Sequence, residues 1–237
     1  TGSAHFTNAF FSSDGVLTVT QNGGGDVNFS AINSSLGFTY NGTGLASGAT
    51  FSAVTIKTFG TTGAASGAVT FNYGDGGEAF ISASTVDTLG AFSITGSNLS
   101  TAEIAFTSIS AEGAVNINLG KAGGEFQVSS INTSSSFTFN ASESTALNAD
   151  VNTISASAAV TITLGAISDS TDATRVSSIQ TDGVFTLNAG AYRERLDIND
   201  LEAGTANMTF GDLSDGFSAS VITAASFTLG GGQGTLF

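Results

Sequence analysis

One short pattern recurs along the chain: an aliphatic anchor, a polar turn, then an apolar-Thr-apolar triplet that ends eight residues after the anchor. Its instances include Phe11 with Val19, Ile32 with Tyr40, Val86 with Ile94, Ile109 with Ile117, Ile131 with Phe139, Ile154 with Ile162, Ile179 with Leu187 and Val221 with Leu229. Val54 and Leu201 complete the series of anchors, the latter with nine residues to Phe210 in place of eight. Successive anchors lie 20 to 25 residues apart, except for 32 between Val54 and Val86, where a Gly/Thr/Ala-rich stretch at 58–68 is inserted. Constant anchors with variable loops point to stacked units that share one register, because only the strands must align.

The units read as strands. Phe137-Thr138-Phe139-Asn140 and Phe185-Thr186-Leu187-Asn188 alternate with period two, which sends apolar side chains one way and Thr or Asn the other. Thr, Val, Ile and Phe fill these stretches and suit a pleated, half-buried surface, while Gly, Asn, Asp and Ser punctuate them. The stretch from Tyr192 to Leu201 is the one candidate for a helical turn. The expected fold is all-β: a single right-handed β-solenoid (parallel β-helix) over 1–237, with about ten rungs and a repeat of about 22–23 residues. Phe38, Val69, Phe92, Val115, Phe137, Val160, Phe185, Met208 and Phe227 would stack as one inward column, at roughly 4.8 Å per rung.

Charge and composition narrow the function. The net charge of −14 repels nucleic acid and anionic lipid. With no Cys there is neither a disulfide framework nor a thiolate metal site. No apolar run approaches the length of a membrane span. An enzyme is not expected: His5 is the only histidine, no nucleophile-elbow sequence occurs, and the Gly-rich stretches lack the Lys of a phosphate loop. Carboxylate pairs exist, but no Trp and only three Tyr leave little for sugar stacking.

The repeated FTF, VTI and FTL triplets resemble those of secreted bacterial and archaeal β-strand-repeat proteins, among them surface-layer proteins, large adhesins and autotransporter-like β-helices. The resemblance implies an extracellular or cell-surface location and a structural role. Gly23-Gly24-Gly25-Asp26 is similar to a turn of the calcium-binding nonapeptide repeats, but such turns are isolated here, and that family's metal sites are not carried over.

Three sets of residues are candidates for function. Apolar ends at Phe6, Phe10, Phe11, Phe227, Leu229, Leu236 and Phe237, in a chain without Pro and without Lys near either end, leave solenoid edges open to pairing with other copies. An outward face of Thr39, Thr70, Thr138, Thr161, Thr186 and Thr209, with Asn41, Asn140 and Asn188 beside it, offers an adhesin or ice-binding surface, or simply good outward strand residues. Asp169, Asp172, Asp197, Asp200 and Glu202 are the densest acidic group and the candidate calcium site, against the alternative of a solvated acidic edge. Arg195, with Arg193 and Glu194, forms a basic cluster suited either to an acidic neighbour or to local pairing. The expected function is a non-enzymatic subunit of a self-assembling filament or surface layer, with an adhesin or ice-binding rod as the alternative.

Overall fold

A computed structural model describes residues 6–46, 48–59, 67–74, 76–96, 99–121, 123–144, 146–165, 173–191, 195–212 and 216–231 of the chain. They form a parallel β-solenoid with a repeat of about 23 residues. The first turn is β1 (Phe6–Ser13) and β2 (Val16–Asn22), the second β3 (Asp26–Ser34) and β4 (Gly37–Thr43), the third β5 (Ala49–Thr58) and β6 (Ala68–Tyr73). Then follow β7 (Gly76–Thr88) with β8 (Phe92–Gly96), β9 (Leu99–Ala111) with β10 (Val115–Asn118), β11 (Gly123–Thr133) with β12 (Phe137–Ala141), and β13 (Leu147–Ala156) with β14 (Val160–Leu164). In the last three turns the two strands merge into β15 (Ala173–Ala189), β16 (Arg195–Phe210) and β17 (Phe217–Gly231). Every pairing is parallel and joins neighbouring turns, so two ladders run the length of the stack. Two strands per turn would make seventeen strands about eight turns; because three strands serve both ladders, each ladder has ten rungs.

The first ladder bends. In β3, Phe29 and Ile32 are both buried, while Ser30 is exposed and Ala31 half-buried between them. The same break separates Val128 from Ile131 in β11 and Val151 from Ile154 in β13. Two consecutive outward residues interrupt the period-two alternation and turn the chain onto a second face. This bend corrects two sequence anchors. Ile56, not Val54, pairs with Ile32 and Val86, and Val54 is 58% exposed at the corner. Likewise Ile222, not Val221, continues from Leu201.

The spacing from anchor to triplet also shortens near the end. Leu201 leads to Met208 in seven residues, because Gly204 stands where the preceding turn has Asp182 and Gly183. Ala206, not Met208, therefore occupies the column of Phe185 and Phe227, and Met208 stacks between Leu187 and Leu229. Residues 195–201 are strand, not helix; Tyr192 lies outside the described residues. Most of the 58–68 insertion also lies outside them, with β5 and β6 resuming register on either side.

Corrected register exposes a regularity of two turns. Phe38, Phe92, Phe137, Phe185 and Phe227 alternate with Val69, Val115, Val160 and Ala206. Four residues on, the order of sizes inverts: Gln21, Tyr73, Leu119, Leu164 and Phe210 alternate with Gly42, Gly96, Ala141, Ala189 and Gly231. A turn with a large residue in one column thus has a small one in the other, and its neighbours do the reverse. Strand spacing of about 4.8 Å is too short for large side chains to stack without interdigitating, so alternating sizes fill the interior at native density.

Buried hydroxyls sit at the end of the first-ladder strands. Ser34, Thr58 and Thr88 hold this position in three consecutive turns, and from Thr88 onward Thr133 and Thr181 alternate with Ala111, Ala156 and Ala203. Thr133 Oγ1 donates to the Gly113 carbonyl of the preceding corner at 2.7 Å and accepts the Ser135 N–H of its own corner at 3.1 Å. Thr181 does the same with Ala158 and Gly183, and Thr88 with Gly67 and Gly90. Each of these three hydroxyls thus bonds backbone groups of two corners.

Tyr73 shows how tight the alternation is. Its ring lies over Gly96, where an added Cβ would fall 2.3 Å from Tyr73 Cε2. Its hydroxyl is buried and has no hydrogen-bond partner among the described residues, whereas the Tyr40 hydroxyl donates to Gln21 Oε1 at 2.8 Å. An unsatisfied buried hydroxyl opposes folding, so Tyr73→Phe should raise stability by about 1 kcal/mol in urea denaturation, and Gly96→Ala should lower it. Burial also raises the ionisation of both phenols above their ordinary value. The unfolded chain would release these protons near pH 10 while the fold holds them, so stability is full below about pH 10 and is lost as pH rises beyond it. An alkaline titration should show unfolding by circular dichroism in step with the appearance of the phenolate absorption band.

Candidate functional site

The described end turns carry apolar side chains in interior columns but without a neighbour to cover them. Ile222, Phe227 and Leu229 in β17 are 36%, 47% and 42% exposed, whereas Leu201 and Met208, directly beneath in the stack, are 0% and 1%. At the other end Phe11 is 39% exposed, while Ile32, its partner in the ladder, is fully buried. Phe11 packs edge-on against Phe29 with ring centroids 5.4 Å apart. Phe10 is exposed and pairs with Ala31, on the outward side of the bend. Phe6 lies in β1 opposite Val27. Leu236 and Phe237 lie outside the described residues.

The outward Thr/Asn face exists as two adjacent columns on the second ladder. Thr18, Thr39, Thr70, Ser93, Asn116, Thr138, Thr161, Thr186, Asn207 and Thr228 form one. Thr20, Asn41, Asn72, Thr95, Asn118, Asn140, Thr163, Asn188 and Thr209 form the other, which ends at Gly230. Thr209 thus faces outward but in the Asn column, and Asn207 takes the place in the Thr column. The shortened corner at Gly204 shifts both. Asn72 Nδ2 donates to Asn41 Oδ1 at 2.9 Å and Ser93 Oγ to Thr70 Oγ1 at 3.2 Å, so part of the array bonds along the stack.

The acidic candidates do not form a metal centre among the described residues, where no group of three carboxylate or imidazole ligands converges. Asp169 and Asp172 lie outside those residues. Asp197 and Glu202 sit on either side of the bend, with Asp200 between them. Asp197, its side chain only 12% exposed, accepts from Arg195 Nε at 2.9 Å, and Arg175 Nε lies 4.0 Å from its other oxygen. Asp150, Arg175 and Asp197 are successive members of one outward column, so the signs alternate along the stack. Arg195 therefore pairs locally. Lys57 similarly lies 3.7 Å from Asp87 one turn on. Glu103 and Glu125 are stacked in register.

A groove runs along the outward side of the first ladder near the bend. Asn28, Ser52, Ser82, Gln127, Asp150 and Asn152 are among the residues that line it, across successive turns. Sequence spacing measured from Val54 misaligned this column, and only the register through Ile56 reveals it.

Searches of protein-family models, curated proteins and solved structures found no match to this chain. Fold and residue chemistry carry the functional reading.

Removing the guanidinium of Arg195 would leave Asp197 mostly buried with only the more distant Arg175. Arg195→Ala should lower stability by about 1 kcal/mol in chemical denaturation, and Arg175→Ala by less.

Proposed function

We propose that the chain is a non-enzymatic structural rod that joins further copies of itself through its end turns, building an extracellular filament or surface layer. One observation carries this reading: residues of interior columns lie open at both described end turns, beside the unpaired edges of β1, β2 and β17. An open parallel edge with an apolar cross-section favours addition of another strand layer. Each large apolar side chain covered in the process contributes roughly 1.5–3 kcal/mol before the entropy of association is subtracted. The low charge density of the stacking surfaces removes a barrier to close approach, since ionised groups lie on the outward columns.

A second reading, an adhesin or ice-binding rod, is favoured by the paired Thr/Asn columns, which offer a regular polar array at strand spacing. The two readings place function differently: assembly uses the ends, and adhesion or ice binding uses a lateral face.

Electron microscopy of the purified chain at neutral pH, with and without a chelator, tests the first reading. Filaments or sheets are expected, and Phe227→Asp with Leu229→Asp should return short single rods that remain folded by circular dichroism. Uniform short rods from the unsubstituted chain would overturn self-assembly. Loss of polymers on chelation alone would assign their cohesion to a divalent cation.

A further inference from the structure

The two end turns are matched in the phase of the size alternation. In the last described turn Phe227 is the large member of its column and Gly231 the small member of the column four residues on. In the first turn the corresponding residues are Leu17 and Gln21. Within the molecule a Phe/Gly turn is always followed by a turn with the sizes reversed, as Phe92 and Gly96 are followed by Val115 and Leu119. The first turn of a second copy, placed on β17, continues that rule: Phe227 meets the smaller Leu17, and Gly231 meets the bulkier Gln21.

Further correspondences point the same way. In the anchor column Ile222 would meet Phe11, and beside the Phe/Val column Leu229 would meet Val19, so apolar faces apolar in both. Thr228 would lie beside Thr18, and the outward Thr column would run on without a break. The edges also match in length: β17 has 15 residues, against 8 in β1 and 7 in β2. Among the described residues an added side chain at Gly231 meets nothing closer than Phe210 O at 3.8 Å and Phe210 Cβ at 3.9 Å. Gly231 is thus free of a packing requirement inside the chain, whereas Gly42 and Gly96 accommodate Tyr side chains.

We infer that the partner at the end turn is a second copy of this chain docked head to tail in one register, with Ile222 over Phe11, Phe227 over Leu17, Leu229 over Val19 and Gly231 over Gln21. This inference rests on the self-assembly reading and adds its geometry. The joint keeps the register and strand direction of the internal interfaces, with Leu17 where those have Val or Ala and Phe11 where they have an aliphatic anchor, so the polymer is polar and its ladders are continuous. An antiparallel or end-to-end joint would bring the same end turn against itself and place Phe227 and Gly231 out of phase.

Cysteine cross-linking tests the register in a chain that has no native Cys. Adjacent parallel strands place paired Cα atoms at about the separation a disulfide requires. The double variant Thr18→Cys, Thr228→Cys should give, on mild oxidation, a reductant-sensitive ladder of multimers on a denaturing gel, whereas Thr228→Cys alone should stop at dimers. Gly231→Leu should keep the circular dichroism spectrum and cut polymer mass by tenfold or more in sedimentation. Polymers of the unsubstituted chain without the 18–228 ladder, or Gly231→Leu polymerising like the unsubstituted chain, would overturn the register and leave self-assembly standing. If the unsubstituted chain forms no polymers, the assembly reading itself fails, and the register with it.

Discussion

Everything in this fold depends on the strand spacing of a parallel ladder. Turns are about 4.8 Å apart, and a phenyl ring or a branched aliphatic chain is wider than that along some direction. Identical large residues cannot stack indefinitely without tilting or leaving gaps. The chain resolves this by alternating Phe with Val or Ala in one column and, in antiphase, Gly or Ala with larger residues four positions on. Interior volume per pair of turns then stays even. From Thr88 onward the buried hydroxyls that serve two corners share that period, with Thr133 and Thr181 in alternate turns.

Much of this was legible in the sequence. Period two in Phe137-Thr138-Phe139-Asn140 gave the strand and its inward face, and the recurrence of anchors gave the stack; both agree with the structure. What failed was the placing of anchors by spacing alone. Val54 and Val221 are apolar and lie 22 and 20 residues after the preceding anchors but sit on the outward side of the bend, two and one residues before the true anchors Ile56 and Ile222. At Gly204 one corner residue replaces two, and a glycine can make that shorter connection without changing the strands on either side. A register slip of one residue exchanges inward and outward faces, whereas a slip of two preserves facing and changes the column, which is how Met208 and Thr209 were assigned to neighbouring stacks. The two-turn period was also written in Phe38, Val69, Phe92 and Val115, but its meaning depends on the inverse column of Tyr73, Gly96 and Leu119, which only the aligned ladder brings beside it.

The candidate site was less legible than the fold. Proximity in sequence grouped Asp197, Asp200 and Glu202; all three point outward, but the bend between Ile198 and Leu201 places Asp197 and Glu202 on different faces. In a solenoid the chemical neighbourhood of an outward residue is mostly the same column one turn away. Arg175 and Asp197 are 22 residues apart in sequence and within 4.0 Å across the ladder. Charge pairing of this kind reads as a property of the register, and it becomes visible only when the register is known.

A stack in which every interface repeats the last has an unusual consequence for its ends. Each internal turn gains packing from the turn before and the turn after, and stability is approximately a sum of such neighbour terms. The outermost described turns lack one of the two, so Ile222, Phe227 and Leu229 keep the interior chemistry of their columns without interior burial. A head-to-tail joint of the proposed kind would draw on contacts similar to those inside the stack: Phe on Val or Ala and Gly on a larger residue hold one turn to the next, and Phe227 on Leu17 with Gly231 on Gln21 would hold one copy to the next. What distinguishes the joint is the entropy of bringing two chains together, which the internal turns avoid because they are covalently linked. Assembly on this plan needs no specialised binding site. It needs only that the last turn and the first stand in opposite phases of the two-turn repeat, as Phe227 and Leu17 do.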